Sequence, residues 1–167
     1  MAMASRLLLL LLASLAAFCL ASLVPGATVQ PRLASNEEQA LRDIAKTLGK
    51  TNWDFSVDPC GGELGWANPN PVEGQENAVK CNCSFPNDTS CHVVSIVLKA
   101  QNLPGTLPTD LDRFPYLQEI DLTRNYLSGT IPPQWGSMQL VNISLLGNRL
   151  TGPIPKEFGN ISTLVNL

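Results

Sequence analysis

The sequence repeats itself from Val93 onward at a short and nearly constant interval, and few folds are compatible with that. Leu103-Pro-Gly105-Thr-Leu107-Pro108 returns as Leu127-Ser-Gly129-Thr-Ile131-Pro132, and again as Leu150-Thr-Gly152-Pro-Ile154-Pro155. Ahead of each copy stands a second constellation: Val93, Ile96, Leu98, Gln101 and Leu103, then Leu117, Ile120, Leu122, Asn125 and Leu127, then Leu140, Ile143, Leu145, Asn148 and Leu150. The central pair alternates as a strand with one buried face does, and the outer apolar residues point into the same interior once the chain turns. A single unit cannot bury its apolar face alone. Units must stack, and the expected fold is an α/β repeat solenoid.

Two features of the period carry further structural meaning. Buried Asn125 and Asn148 are expected to hydrogen-bond backbone groups along each turn, forming a ladder between coils. Gln101 holds that slot in the first repeat on a longer stem, so a weaker or shifted ladder is expected there. The Gly-x-Ile/Leu-Pro segments need a permissive backbone at glycine and a residue barred from helix at proline, which favours an extended or polyproline-like return path.

The chain ahead of the repeats divides in two. Residues 1–27 carry one positive charge, Arg6, then an apolar run from Leu7 to Val24 and the small residues Gly26 and Ala27. This is the layout of a signal peptide cleaved near 26 to 28, with a retained signal anchor as the competing reading. Residues 28–91 form a cap. Within it Leu41, Ile44, Ala45 and Leu48 recur at helical spacing, predicting an amphipathic helix over 36–48. A capping box from Ser35 to Glu38, or Asn36 as the alternative cap, is expected to start that helix, and Gly49 to end it.

Cys60, Cys81, Cys83 and Cys91 lie in the loop-rich remainder of the cap. In a secretory compartment they read as two disulfides, since their spacing and the lone neighbour His92 do not match zinc ligation. Cys81 and Cys83 stand two apart on one strand face, so they do not bond each other. Cys60–Cys81 with Cys83–Cys91 closes short successive loops and is favoured, while Cys60–Cys83 with Cys81–Cys91 stays open. Four Asn-x-Ser/Thr sites, at Asn82, Asn87, Asn142 and Asn160, suit a glycosylated chain with those asparagines on accessible surface.

The L-S/T-G-x-I-P segment with its leucine ladder resembles the plant-specific class of leucine-rich repeat found in receptor-like kinases. Trp53, Asp58-Pro-Cys60, Trp66, Val79-Lys-Cys81-Asn-Cys83-Ser and Cys91-His-Val-Val-Ser-Ile-Val-Leu resemble the N-terminal cap of that class. The arrangement is most similar to the receptor-kinase subgroup whose ectodomain continues into a malectin-like domain. The resemblance implies the start of a right-handed horseshoe with a disulfide-stapled N-terminal cap, three repeats over 92–167 and the opening of a fourth. That last repeat begins at Leu164 and Leu167 and stops before its motif is complete, so a fragment of a longer, membrane-anchored parent is expected.

Composition and motifs narrow the function. Eleven basic against 14 acidic residues give a net charge of -3, which offers no electrostatic support for nucleic-acid binding. No phosphate-binding glycine loop, kinase signature or nucleophile elbow is readable, and no metal or cofactor is expected. His92 reads as a structural neighbour of the Cys91 bridge rather than a catalytic base. The expected function is extracellular recognition of a peptide, a cell-wall component or another receptor ectodomain, with a free secreted repeat protein as the alternative. Residues between the buried positions of each strand are expected to line the contact surface: Val94, Ser95, Val97, Lys99 and Ala100, then Gln118, Glu119, Asp121, Thr123 and Arg124, then Val141, Asn142, Ser144, Leu146 and Gly147. Lys99, Glu119, Asp121 and Arg124 are the contact candidates because they join expected exposure to charge.

Overall fold

The computed structural model describes residues 30–62 and 66–167. The leader expected over 1–27 lies outside the described residues. Helix α1 (Ser35–Leu48) turns Ala40, Leu41, Ile44, Ala45 and Leu48 into the core, along one face of its surface. The expected capping box does not form. Ala34 is the N-cap residue, without a side-chain bond, and Glu38 instead accepts from Arg42 at 2.6 Å. The helix phase explains this, because Glu37 rather than Glu38 faces inward and is fully buried. At the other end Gly49 adopts φ 76°, and the Lys50 N–H donates to the Ala45 carbonyl at 2.8 Å. This closure satisfies carbonyls that a helix end leaves without partners.

The first repeat completes that end. The N–H groups of Gly105 and Thr106 donate to the Leu48 and Thr47 carbonyls at 3.2 and 3.0 Å. A Cβ on Gly105 would strike the Thr47 carbonyl oxygen, so here glycine serves close approach. Its counterparts Gly129 and Gly152 are needed for a different reason, their φ values of 85° and 78°. In the cap loops the Trp53 and Trp66 rings stack at 4.9 Å, and Trp66 Nε1 donates to the Asp54 carbonyl at 2.9 Å. Cys60 is bonded to Cys81 and Cys83 to Cys91.

Among the described residues the strands are β1 (Asn77–Asn82), β2 (His92–Leu98), β3 (Glu119–Asp121), β4 (Ser128–Gly129), β5 (Asn142–Ser144) and β6 (Arg149–Leu150). The main sheet has the order β1-β2-β3-β5, with β1 antiparallel to β2 and the rest parallel. In that register Ile96, Ile120 and Ile143 align in the interior, all buried. The return path differs from a wholly extended one. β4 and β6 pair as a small parallel sheet, and 3₁₀ turns at Leu111–Arg113, Pro133–Ser137 and Lys156–Asn160 close each coil. Pro133 starts its turn with a pre-set φ, and the turn delivers Trp135 to the core, where its Nε1 donates to the Pro108 carbonyl at 2.8 Å.

Asn125 joins adjacent coils through both ends of its amide. Its Oδ1 accepts from the N–H groups of Gln101 and Leu103 at 2.9 and 3.1 Å, and its Nδ2 donates to the carbonyls of Leu98 and Leu122 at 2.7 and 2.9 Å. Asn148 accepts from the Leu127 N–H at 3.1 Å and donates to the Leu122 and Leu145 carbonyls at 2.9 Å. Gln101 reaches only the Lys99 carbonyl, at 3.0 Å, and turns its oxygen to Lys50. Asn125→Ala strands two N–H donors and is expected to cost about 3 kcal/mol in urea unfolding, with Asn148→Ala costing roughly half. Equal losses, or losses below about 0.5 kcal/mol, would contradict a graded ladder.

Candidate recognition surface

The side chains of the main sheet that point away from the core form rows across the strands. Register places Lys80, Ser95, Glu119 and Asn142 in one row and Ala78, Val97, Asp121 and Ser144 in the next. Adjacent members stand about 4.8 Å apart, close enough for direct contact. Several of these positions are less open than the sequence suggests. Ser95 and Val97 are only 4% and 7% exposed, and Lys99, Glu119 and Asp121 are half-buried. Of the four contact candidates only Arg124 is exposed.

The physical reason is a cap loop that packs on the first two rungs. It brings the Glu76 carboxylate 3.3 Å from Lys99 Nζ, and the same ammonium lies 3.4 Å from Asp121. Ser95 Oγ donates to Glu119 Oε2 at 2.6 Å. Lys99, Glu119 and Asp121 are thereby gathered with Glu76 into one cluster. Arg124 stands at its edge with φ 57° and its guanidinium beside Gly74. Burial works against the Lys99 charge, but the flanking carboxylates of Glu76 and Asp121 outweigh it and hold its pKa above the ordinary value. The backbone N–H groups of Glu76 and Gly74 hold the Glu76 carboxyl below its usual range.

Two clefts flank the Lys99–Asp121 pair. One of about 280 Å³ is lined by Pro71, Glu76, Ala78, Val97 and Glu119 among others, and one of about 400 Å³ by Glu73, Arg124, Ser144 and Leu146. Among the asparagines of the glycosylation motifs, Asn82, Asn87 and Asn160 are exposed. Asn142 lies on the strand row itself, half-buried, with its Oδ1 accepting from Asn166 Nδ2 at 2.6 Å.

Two buried ionisable groups behind this surface escaped the sequence reading. Glu37 accepts the Val93 N–H at 2.8 Å and pairs with His92 Nδ1, while His92 Nε2 lies 2.8 Å from Asp88. With a carboxylate at each ring nitrogen, the doubly protonated imidazole satisfies both. Burial of His92 opposes that charge, but the bonds to Glu37 and Asp88 prevail and raise its pKa. Glu37 was legible in principle, since it shares the helix face of Leu41, Ile44 and Leu48. Lys50 is the second group. It is buried, with its ammonium on the neutral amide oxygens of Gln101 at 2.8 Å and Asn77 at 3.4 Å, and burial pushes its pKa down to about 8. No periodic signal marks Glu76, which lies in a loop.

Comparison with known proteins settles the repeat class. Residues 116–138 and 139–161 each match the family model described as Leucine Rich Repeat. The chain is a leucine-rich-repeat protein. It is 60% identical over 138 residues to a probable leucine-rich repeat receptor-like serine/threonine-protein kinase of Arabidopsis thaliana, which covers 81% of the chain and 13% of that relative. The leucine-rich-repeat chain thus spans about an eighth of that relative's length. Among solved structures, the ectodomain of the Arabidopsis thaliana receptor kinase SOBIR1 shares the fold with a TM-score of 0.51 and 24% identity, over 82% of this chain and 79% of that one. The PEPR1-AtPEP1 structure does so with a TM-score of 0.58 and 22% identity, over 80% of this chain and 18% of that one.

His92 and Lys50 titrate with opposite sign. Because the folded pKa of His92 is raised above 6.5, its stabilisation is complete below that pH and is lost as pH rises through the folded value. The stability margin of the native chain over His92→Gln therefore narrows with rising pH in chemical denaturation, and a margin that stays flat from about pH 5 to 9 would oppose this assignment. Lys50 behaves in reverse. Between about 8 and 10.5 the folded chain has released a proton that the unfolded chain still holds, so this contribution rises with pH. Lys50→Met is expected to remove that alkaline rise, and an unchanged pH profile would show that Lys50 does not titrate there.

Proposed function

We propose that this chain is the extracellular, ligand-sensing segment of a plant receptor-like serine/threonine kinase. The observation that carries the reading is the 60% identity over 138 residues to a probable receptor-like kinase, which extends through the cap and is not confined to the repeat motif. On this reading kinase chemistry and the membrane anchor belong to residues outside the chain, and the segment contributes recognition alone. The partner is an extracellular peptide, a cell-wall component or another receptor ectodomain.

The surface is suited to such a task for a physical reason. Its side chains are fixed on strands whose register is set by the buried isoleucine row, so contact groups are pre-organised before a partner arrives. Mixed charge in a half-buried setting gives selectivity, because a partner of the wrong sign leaves carboxylates or ammoniums unpaired. The test is to sequence the transcript that encodes the chain. An open frame running through an apolar span into a kinase domain with its glycine-rich loop is the expected result. A stop codon soon after Leu167 would replace this reading with a free secreted binding protein.

A further inference from the structure

The smaller cleft beside the cap suits one kind of guest. Its wall is apolar where Pro71, Ala78 and Val97 meet, and it is acidic where Glu76, Glu119 and Asp121 gather. Those three carboxylates face two ammonium groups, Lys99 and the exposed Lys80, so the lining keeps one net negative charge. Lys99 is already shared between Glu76 and Asp121. Glu76 Oε2 is shielded from solvent and has no aligned hydrogen-bond donor, although Lys99 Nζ lies 3.3 Å away. A carboxylate oxygen in that position gains from a second donor.

Size narrows the choice. A volume of about 280 Å³ accommodates one long side chain, and lies at the floor of the range of roughly 300–1,000 Å³ typical of whole small-molecule pockets. A side chain with an aliphatic stem and a cationic head matches the apolar wall and the acidic lining together. An anionic guest would meet the carboxylates, and a neutral sugar would leave the charge uncompensated.

We propose that this cleft takes the arginine or lysine side chain of an extended peptide lying across β2 and β3. Arginine is the better fit, because its planar fork bonds two carboxylate groups at once where an ammonium acts as a point charge. The peptide's path is bounded on one side by the cap loop and on the other by Asn142, which stands next to Glu119 in the strand row and is a glycosylation motif. This inference rests on the recognition role proposed above and names the class of its ligand.

The experiment is selection of a random linear peptide library on the immobilised, secreted, glycosylated chain. The selected peptides are expected to share one basic residue. Replacing that residue by neutral citrulline or norleucine, or the chain's Glu119 by glutamine, should each weaken binding about tenfold or more. Glu119→Gln keeps an oxygen that accepts from Ser95, so its thermal midpoint should match the native chain and exclude misfolding as the cause. Selected peptides without a basic residue, or binding indifferent to Glu119→Gln, would overturn the basic anchor while leaving recognition intact. No enrichment of any peptide would count against both.

Discussion

Everything in the repeat region depends on how a coil that turns back on itself once per repeat satisfies the backbone groups at its corners. Those groups are buried under the next coil, where water cannot reach them. The side chain of Asn125 solves the problem by accepting from two N–H groups of the preceding coil and donating to one carbonyl from each of the two coils. An amide is the group that can do both at once, and on the short stem of asparagine it stays at the corner. With corners fixed, Ile96, Ile120 and Ile143 fall into line, and the outward rows follow from the alternation of side chains along a strand.

The cap does more than close the end of the solenoid. Its helix is tied to β2 through buried Glu37 and to the flank of the first repeat through the Thr47 and Leu48 carbonyls. β1 joins the sheet by pairing along β2 and is held to the cap by the Cys60–Cys81 bridge, and the loop before it carries Glu76. The surface charge pattern is therefore a joint product of cap and repeats. Lys99 and Asp121 belong to successive repeats, but the carboxylate that completes their cluster comes from the cap.

The repeat fold was legible because its period and its buried positions are local and recur from one coil to the next. Leu41, Ile44 and Leu48 likewise marked the helix, and their phase also held the clue to Glu37, whose charge on an apolar stripe signals a buried partner. What escaped the sequence depends on contacts distant along the chain. The capping box at Ser35 and Glu38 is a valid local pattern, but it lost to the pull of Glu37 toward Val93 and His92, which lie far along the chain. The burial of Ser95 and Val97 is hidden from the sequence for the same reason, since nothing in β2 itself reveals that β1 pairs along it, that Glu119 meets Ser95, or that Asn68 and Pro71 wall a cleft with Val97. Gln101 stands out in the sequence as the odd member of the ladder, yet its bond to Lys50 requires a residue 51 positions back.

The outward rows beside the cap, and not the side of the 3₁₀ turns, are expected to meet the partner. Amide hydrogen exchange of the chain with and without a bound selected peptide or receptor ectodomain tests that most directly. Added protection concentrated over residues 95–99 and 119–124 is the predicted result. Protection confined to 111–113, 133–137 and 156–160, where the 3₁₀ turns lie, would contradict it.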